Sequence, residues 1–248
     1  MKYAVLRTHG GLGNQLFQIL FGRLFAERHG LTLCEVHDLR YRHAFPRSEA
    51  LVRGGRPSRW QRVVSAARFP KLLQRYLGQA EVPFKLGRSV YLDGYFQRAE
   101  CYAQFPNEAI ARQLQRLADE LNIIPAYLET RLAHLRVGDF FANRDKARAH
   151  VIERLQKMSA GASVMTNDES LLREPDVASV MSSRGVKLIG TEAMAAEEVL
   201  RTMAQYAGVD ANGSTLAFWA SVLGGARVAF ANAALRETNE MLKKCLWT

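Results

Sequence analysis

Residues 2–36, KYAVLRTHGGLGNQLFQILFGRLFAERHGLTLCEV, determine the fold class of the chain. Their first six residues form a largely apolar run that is typical of a buried strand. After a glycine-rich turn, leucines and phenylalanines recur three and four residues apart, which predicts a helix that ends near His29 and Gly30. The segment LTLCEV at 31–36 predicts the next strand. A strand, a helix and a second strand in this order predict a parallel sheet in an α/β protein.

Strands and helices alternate through most of the remaining chain, after a polar segment at 38–56 that we expect to be a loop. Predicted strands occupy 89–96, 130–137, 162–166, 186–190, 207–211 and 226–230. Predicted helices occupy 57–77, 98–121, 145–158, 168–173, 193–205, 214–223 and 233–244. Since the alternation starts afresh near residue 123, we predict two Rossmann-like domains, 1–122 and 123–248, that face each other across a cleft.

The composition, with 48% hydrophobic and 23% charged residues, is that of an ordinary globular protein. No apolar stretch approaches the roughly 20 residues that are needed to span a bilayer. The chain enters its first predicted strand at once, without a leader, so we expect a cytoplasmic protein. Cys34, Cys101 and Cys245 form no C-x-x-C pair. This spacing predicts buried free thiols rather than disulfides or a metal site.

The formal net charge of +10 is concentrated in residues 40–75, where nine arginines and one lysine stand against a single acid, Glu49. A nucleic acid, an anionic lipid surface or an anionic substrate would each complement this charge, and a solvated basic face is the alternative. Few aromatic residues alternate with the arginines. No helix-turn-helix, zinc or RNA-binding pattern occurs, so we expect no nucleic-acid partner.

Four polar turns follow predicted strands, and we predict that they carry the binding residues. Ligands of open α/β sheets bind beyond the carboxyl ends of the strands, where an arginine can hold a diphosphate bidentately and helix N-termini favour phosphate. Each turn also has a structural interpretation, as a tight turn, a buried Arg–Asp pair or a helix N-cap. The candidates are Gly11, Gly13, Asn14 and Gln15; His134, Arg136 and Asp139; Thr166, Asn167 and Asp168; and Ser214 and Thr215.

No D-x-D pair of carboxylates occurs in the chain. If the turns bind a sugar nucleotide, an arginine and helix N-termini would therefore neutralise its diphosphate in place of Mg²⁺. We accordingly expect neither a metal nor a cofactor.

Five motifs, in this order, resemble those of the bacterial α-1,2-fucosyltransferases, glycosyltransferase family 11 of the fucosyltransferase superfamily. The resemblance covers nearly the whole chain, and its first motif is the most specific. It implies a GT-B-type fold with an N-terminal acceptor-side domain and a C-terminal domain that binds the nucleotide sugar. The motifs are GGLGNQLFQ (10–18), DGYFQRAECY (93–102), HLRVGDF (134–140), MTNDES (165–170) and GSTLAFWASVL (213–223).

The resemblance implies a reaction as well as a fold. L-Fucose would move from GDP-β-L-fucose, with inversion, to a galactoside hydroxyl during bacterial surface polysaccharide synthesis. The turn formed by Gly13, Asn14 and Gln15 would face the reacting centre. Asp139 and His9 are the candidate bases for the acceptor hydroxyl, and Asp139 is the better placed to be a structural partner of the neighbouring arginine.

In the donor site, the resemblance assigns roles residue by residue. Arg136 would hold the β-phosphate of the donor, and His134 would contact the guanine side of the nucleotide. Ser214 and Thr215 would touch phosphate at the start of the last motif's helix. The family's second motif arginine is Val137 in this chain, which removes one cation from the diphosphate site.

Two alternatives to this reaction stay open. The chain could be a glycosyltransferase of the same fold with another donor or linkage. It could also be a non-catalytic protein that binds a nucleotide or a glycan, which the missing arginine motivates. Acceptors of this class are often lipid-linked, so we expect residues 40–75 and Trp60 to dock the protein on anionic lipid at the inner face of the cytoplasmic membrane.

Overall fold

The computed structural model describes residues 3–37, 84–86, 89–125, 128–137, 141–210, 213–230 and 232–247. The basic segment 40–75 with Trp60, the predicted helix 57–77 and Asp139 lie outside these residues. The chain divides into two units, which are Met1–Leu121 with Glu240–Thr248, here called unit 1, and Asn122–Asn239, here called unit 2. The last residues of the chain, which the sequence places in the C-terminal domain, thus belong to unit 1.

Unit 1 is built on a four-stranded sheet in the order β2-β1-β4-β3. Strand β1 is parallel to both β2 and β4, whereas β3 is antiparallel to β4. The elements are β1 (Tyr3–Thr8), α1 (Leu12–Arg28), β2 (Thr32–His37), β3 (Phe84–Leu86), β4 (Ser89–Leu92), α2 (Ala99–Tyr102) and α3 (Asn107–Glu120).

Helix α1 is the centre of the unit 1 core, because it is apolar on nearly every face. Leu16, Phe17 and Leu20 are fully buried, and Phe21 stacks on Phe96 with ring centroids 4.1 Å apart. Gly22 lets the helix lie directly on β1, since a Cβ atom there would approach the Leu6 side chain to 2.8 Å. This packing fixes the glycine-rich turn between β1 and α1 against the sheet.

Unit 2 contains a five-stranded sheet in the order β7-β6-β5-β8-β9, in which every pair is parallel. The chain builds β6 and β7 on one side of β5, and then β8 and β9 on its other side. The strand order therefore reverses between β5 and β8. The elements are β5 (Leu128–Leu135), α4 (Arg144–Lys157), β6 (Ser163–Thr166), α5 (Glu169–Leu172), α6 (Pro175–Ser183), β7 (Lys187–Leu188), α7 (Ala196–Ala204), β8 (Tyr206–Asp210), α8 (Thr215–Gly224) and β9 (Arg227–Ala229). The last helix, α9 (Ala233–Trp247), begins in unit 2, and its residues from Glu240 onward belong to unit 1.

The predicted α/β class with parallel sheets is confirmed, and three details differ from the sequence prediction. The predicted helix 98–121 is two helices, because Pro106 interrupts it and begins α3. The alternation of strands and helices is not strict, since α5 and α6 follow one another and Pro175 starts the second of them. Strand β3 adds an antiparallel edge that the parallel pattern did not predict.

The described residues bear on two predictions for the chain, which concern its cysteines and its membrane-spanning helices. None of the three cysteines forms a disulfide in the structure, and each is half-buried, whereas the sequence predicted buried thiols. Among the helices of the described residues, none combines the length and the apolarity that crossing a bilayer requires.

Candidate functional site

The carboxyl edge of the unit 2 sheet, at the point where the strand order reverses, collects most of the predicted donor-site residues. Arg136 follows β5 directly, and Ser214 lies at the start of α8, which follows the neighbouring strand β8. Ala133 pairs in register with Asp210, so the two turns leave the sheet at the same level. Ligands of open parallel sheets bind at this reversal, which makes the edge the candidate site of unit 2.

His134 is the next-to-last residue of β5, close to this edge, and is only 7% exposed. Burial, with the nearby charge of Arg136 as the smaller cause, lowers the pKa of His134 from 6.5 to about 4. Within the part of the chain that the structure describes, no hydrogen-bond partner reaches its Nδ1 atom. His134 is therefore a neutral imidazole at physiological pH, and its Nδ1 atom is buried without a hydrogen-bond partner among the described residues.

This buried histidine predicts a pH-dependent stability. Because its pKa in the folded state is lower than in the unfolded chain, its contribution is complete above pH 6.5 and is lost as the pH falls toward 4. Between pH 7 and pH 4 the loss should be about 3 kcal/mol. We expect His134→Leu to abolish that part of the pH dependence in urea unfolding experiments, and the exposed-site control His29→Gln to retain it.

If His134→Leu and the unmutated protein lose stability in parallel between pH 7 and pH 4, the proposed neutral, buried state of His134 is contradicted. The comparison cancels the contributions of all other titrating groups, since these are common to both proteins.

The turn after β6 is joined to the turn after β5 by a side-chain hydrogen bond and is braced by local ones. The Val137 backbone N–H donates to Asn167 Oδ1 over 2.8 Å, and the Asp168 N–H donates to Thr166 Oγ1. Asp168 caps α5 by accepting from the Leu171 N–H. In the described structure these predicted ligand-binding residues thus hold the edge in shape, and the side chain of Asn167 is also exposed.

Glu169 is a member of this site that the sequence prediction missed. Its buried carboxylate accepts the backbone N–H groups of Thr191 and Glu192 and an Arg173 hydrogen bond of 2.8 Å. The Thr191 hydrogen bond, above all, holds the pKa of Glu169 below its ordinary value. Glu169 therefore fastens the segment after β7 beside the turn after β6. The sequence signal was the glutamate inside the motif MTNDES.

Ser214 is the N-cap of α8, as its structural interpretation proposed. Its buried Oγ accepts the Ala217 N–H, and its carbonyl oxygen accepts the Phe218 N–H. The N–H groups of Thr215 and Leu216 have no partner within the helix, as is general for a first helical turn. The helix N-terminus therefore offers backbone donors next to the half-buried Thr215 side chain.

In unit 1 the glycine-rich turn is folded back on itself by amide side chains. Gly10 has a φ of +78°, and a Cβ atom there would lie 2.8 Å from Asn14 Nδ2, so only glycine fits. Gln15 donates to the Gly10 carbonyl over 2.7 Å, and Asn14 accepts a hydrogen bond of 2.9 Å from Gln97. Gly11 begins α1 as its N-cap.

A second set of polar side chains lies beside this turn, at the carboxyl ends of β1 and β4. Arg7 donates to Asp93 over 3.0 Å, and the ring of His9 packs against Tyr95 with centroids 4.7 Å apart. Gln18, which is fully buried, contacts His9 at two points. Apart from His9, the sequence prediction singled out none of these residues as a site residue, although Gln18, Asp93 and Tyr95 lie within the motifs 10–18 and 93–102.

The structure thus places the predicted residues in two groups. The turns of His134, Arg136 and Val137, of residues 166–168 and of residues 214–215 share one edge of the unit 2 sheet. Residues 11–15 belong to the carboxyl edge of the unit 1 sheet. Among the described residues, no group of three or more His, Cys, Asp or Glu side chains could hold a metal ion.

No protein-family model and no curated protein sequence matches the chain. Among solved structures, it is similar to a NodZ α-1,6-fucosyltransferase co-crystallised with GDP, with 17% identity over 89% of this chain and 92% of that chain and a TM-score of 0.46. A NodZ α-1,6-fucosyltransferase soaked with GDP-fucose gives 15% identity, coverages of 90% and 92% and a TM-score of 0.47.

The chain is also similar to a Mycobacterium tuberculosis shikimate dehydrogenase, with 12% identity over 99% of this chain and 98% of that chain and a TM-score of 0.26. All these identities and TM-scores are low, so a function for this chain has to be argued from its own residues.

Proposed function

We propose that the chain is an inverting, metal-independent α-1,2-fucosyltransferase of the family 11 type. It would move L-fucose from GDP-β-L-fucose to a galactoside hydroxyl in bacterial surface polysaccharide synthesis. The observation that supports the proposal is that Arg136 and the N-terminus of α8 follow the neighbouring strands β5 and β8, at the reversal of the strand order. One NodZ structure was co-crystallised with GDP and another was soaked with GDP-fucose. For this chain the same donor is proposed from its five motifs.

The proposed diphosphate site combines two kinds of positive charge. The partly exposed Arg136 can hold two phosphate oxygens bidentately, which a lysine could not do. The first turn of α8 adds backbone N–H donors and the positive end of the helix dipole. Ser214 Oγ already caps the helix, so its proposed contribution to phosphate binding is to stabilise this first turn. The half-buried Thr215 is the better candidate for a hydroxyl that contacts phosphate.

The proposed chemistry is mainly electrostatic. GDP is a good leaving group, so the fucosyl carbon can reach an oxocarbenium-like transition state with little push from the acceptor. Negative charge then grows on the β-phosphate, where Arg136 and α8 stabilise it. His134, neutral because its pKa is about 4, is proposed to contact the guanine side of the nucleotide.

The unit 1 turn is proposed to act at the reacting centre. The Asn14 amide accepts a hydrogen bond from Gln97, and the Gln15 amide donates one to the Gly10 carbonyl. Both side chains are therefore held in fixed orientations. A preorganised amide can orient an acceptor hydroxyl without changing its protonation. Asp139 remains a proposed base or a partner of Arg136, from its place in the motif.

The missing second arginine has a packing reason in this chain. Val137 is fully buried in an apolar cluster with Val164 and Leu171, and its N–H is bonded to Asn167. An arginine at this position would bring an unpaired charge into the core, so its replacement suits this fold. This departure supports the second candidate function, a protein that binds a nucleotide or glycan without transfer, or a transferase with another donor.

A donor screen distinguishes these functions. The full chain is incubated with GDP-fucose, GDP-mannose or a UDP-sugar, and GDP or UDP release is measured with and without a panel of galactosides. Of these donors, we expect only GDP-fucose to be cleaved, with GDP released, and a galactoside should accelerate this release. NMR of the product should show an α-1,2 linkage. Release from another donor would identify the alternative transferase, and tight GDP binding without release would indicate the binding protein.

We also propose that the arginine-rich segment 40–75 brings the protein to an anionic membrane surface, where lipid-linked acceptors would lie. Each basic residue near such a surface contributes on the order of 1 kcal/mol. Sedimentation with vesicles should increase with anionic lipid and decrease with salt. Sedimentation that is insensitive to both would contradict the proposal.

A further inference from the structure

His9 and Gln18 form a closed pair at the carboxyl end of β1. His9 directly follows the strand, and Gln18 lies on the side of α1 that faces the sheet; both are buried. The backbone N–H of His9 donates to Gln18 Oε1 over 2.9 Å. The Nε2 atom of the same amide lies 3.2 Å from His9 Nδ1.

The first of these contacts fixes the orientation of the Gln18 amide. An amide flipped by half a turn would place its NH₂ group against the His9 N–H, and two donors would then meet in a buried site. Its NH₂ group must therefore face His9 Nδ1. Because an amide nitrogen only donates, Nδ1 has to accept, and the proton of the neutral imidazole is on Nε2.

The charged groups near the ring do not reverse this assignment. Asp93 Oδ1 lies 4.0 Å from Nδ1, which is beyond hydrogen-bonding distance, and Arg7 pairs with the other oxygen of that carboxylate over 3.0 Å. Tyr95 packs on the ring at a tilt of 53°. The amide contact at 3.2 Å is therefore the closest polar determinant of the Nδ1 state among these groups.

We propose that Gln18 is a positioning residue that holds His9 as the neutral tautomer with its proton on Nε2. In this state Nε2–H is the hydrogen-bond donor of the ring, and Gln18 occupies the lone pair on Nδ1 that could otherwise accept a proton. The candidacy of His9 as the base, which the sequence left open, is thereby replaced by a donor role. Only the identity of the substrate oxygen depends on the proposed function.

Long-range ¹H–¹⁵N correlation spectra of uniformly labelled full-length protein test the tautomer directly. The chain has six histidines, so the His9 signals are assigned by their loss in His9→Gln. We expect an unprotonated Nδ1 and a protonated Nε2 at pH 7.5. A protonated Nδ1, in either the other tautomer or the cation, would overturn the proposal without any need for an active enzyme.

The cause of the tautomer is tested with Gln18→Glu. A carboxylate can still accept the His9 backbone N–H, but its second oxygen now requires a proton on Nδ1, so the two nitrogen signals should exchange character. Gln15→Glu, in the same helix but bonded to Gly10 instead, should leave the His9 signals in their wild-type pattern. If Gln18→Glu fails to fold, the neutral isostere Gln18→Met should still yield a mixture of tautomers. An unaltered His9 pattern in the folded variant would overturn the role of Gln18.

The donor role has its own readout once turnover of GDP-fucose has been detected. His9→Gln places an amide N–H close to the former Nε2, whereas His9→Leu has no donor. We expect His9→Gln to retain most of the activity that His9→Leu loses. Equal losses of about 10²–10⁴-fold in both variants would instead indicate a base. A failure of the donor screen would leave the tautomer result intact, so the two proposals fail separately.

Discussion

Replacing Arg136 with alanine should lower the rate of fucosyl transfer by about 10²–10³-fold, which corresponds to roughly 3–4 kcal/mol of transition-state stabilisation. Arg136 lies directly after the end of β5 and is only half-buried, so the loss of its side chain leaves no large cavity. The growing charge on the β-phosphate would then be stabilised by the N-terminus of α8 alone. The measurement is kcat at saturating GDP-fucose and acceptor, with urea unfolding of the same variant in parallel.

Two further variants separate the charge of Arg136 from its geometry and from a general loss of positive charge. Arg136→Lys keeps the charge but not the bidentate fork, so its rate should fall between those of the wild type and Arg136→Ala. Arg131→Ala removes an exposed arginine from the same strand, and we expect transfer within about twofold of the wild type. An Arg136→Ala protein that turns over at the wild-type rate would refute the proposed diphosphate site.

The unit 2 edge was predictable from the sequence because each of its parts directly follows a strand. Hydrophobic periodicity located β5, β6 and β8 to within two residues of their observed ends. In a parallel sheet, the residues after those strands must share one edge. The sequence therefore groups Arg136, Asn167 and Ser214 at one edge, although periodicity cannot distinguish a capping serine from a ligand-binding one.

The unit 1 contacts were not predictable, because they join residues far apart in the chain. Arg7 pairs with Asp93, and Asn14 bonds to Gln97, across more than 80 positions. These pairs depend on β1 and β4 being neighbours in the sheet. The polar segment and the residues after it give no periodic signal for that adjacency. A buried Gln18 was likewise hidden within an otherwise apolar helix face.

The motif residues divide between holding the site together and facing solvent. Asp168 and Ser214 cap helices, and Asn167 and Glu169 join neighbouring turns through backbone N–H groups. Arg136 is the one cation among the described motif residues of this edge, and it is partly exposed. Most motif residues of this edge therefore stabilise its turns. We expect the single arginine to make the main contribution to the chemistry.

The last motif illustrates this division in the core. In GSTLAFWASVL, Phe218 and Trp219 are fully buried, and their rings meet edge to face with centroids 5.4 Å apart. Phe218 also packs on Phe230, which follows β9. The aromatic pair fixes α8 against the sheet, and with it the helix N-terminus that Ser214 caps.

We therefore expect Trp219→Ala to reduce the free energy of unfolding by about 3–5 kcal/mol, which is the usual cost of truncating a buried aromatic side chain. Trp247→Ala is the matched control, because Trp247 is 46% exposed at the end of α9. Its cost should stay within about 0.5 kcal/mol. Urea unfolding followed by far-ultraviolet circular dichroism measures both variants without relying on tryptophan fluorescence. Equal costs at the two positions would mean that Trp219 does not anchor α8, and the preorganised helix N-terminus of the proposed donor site would lose its support.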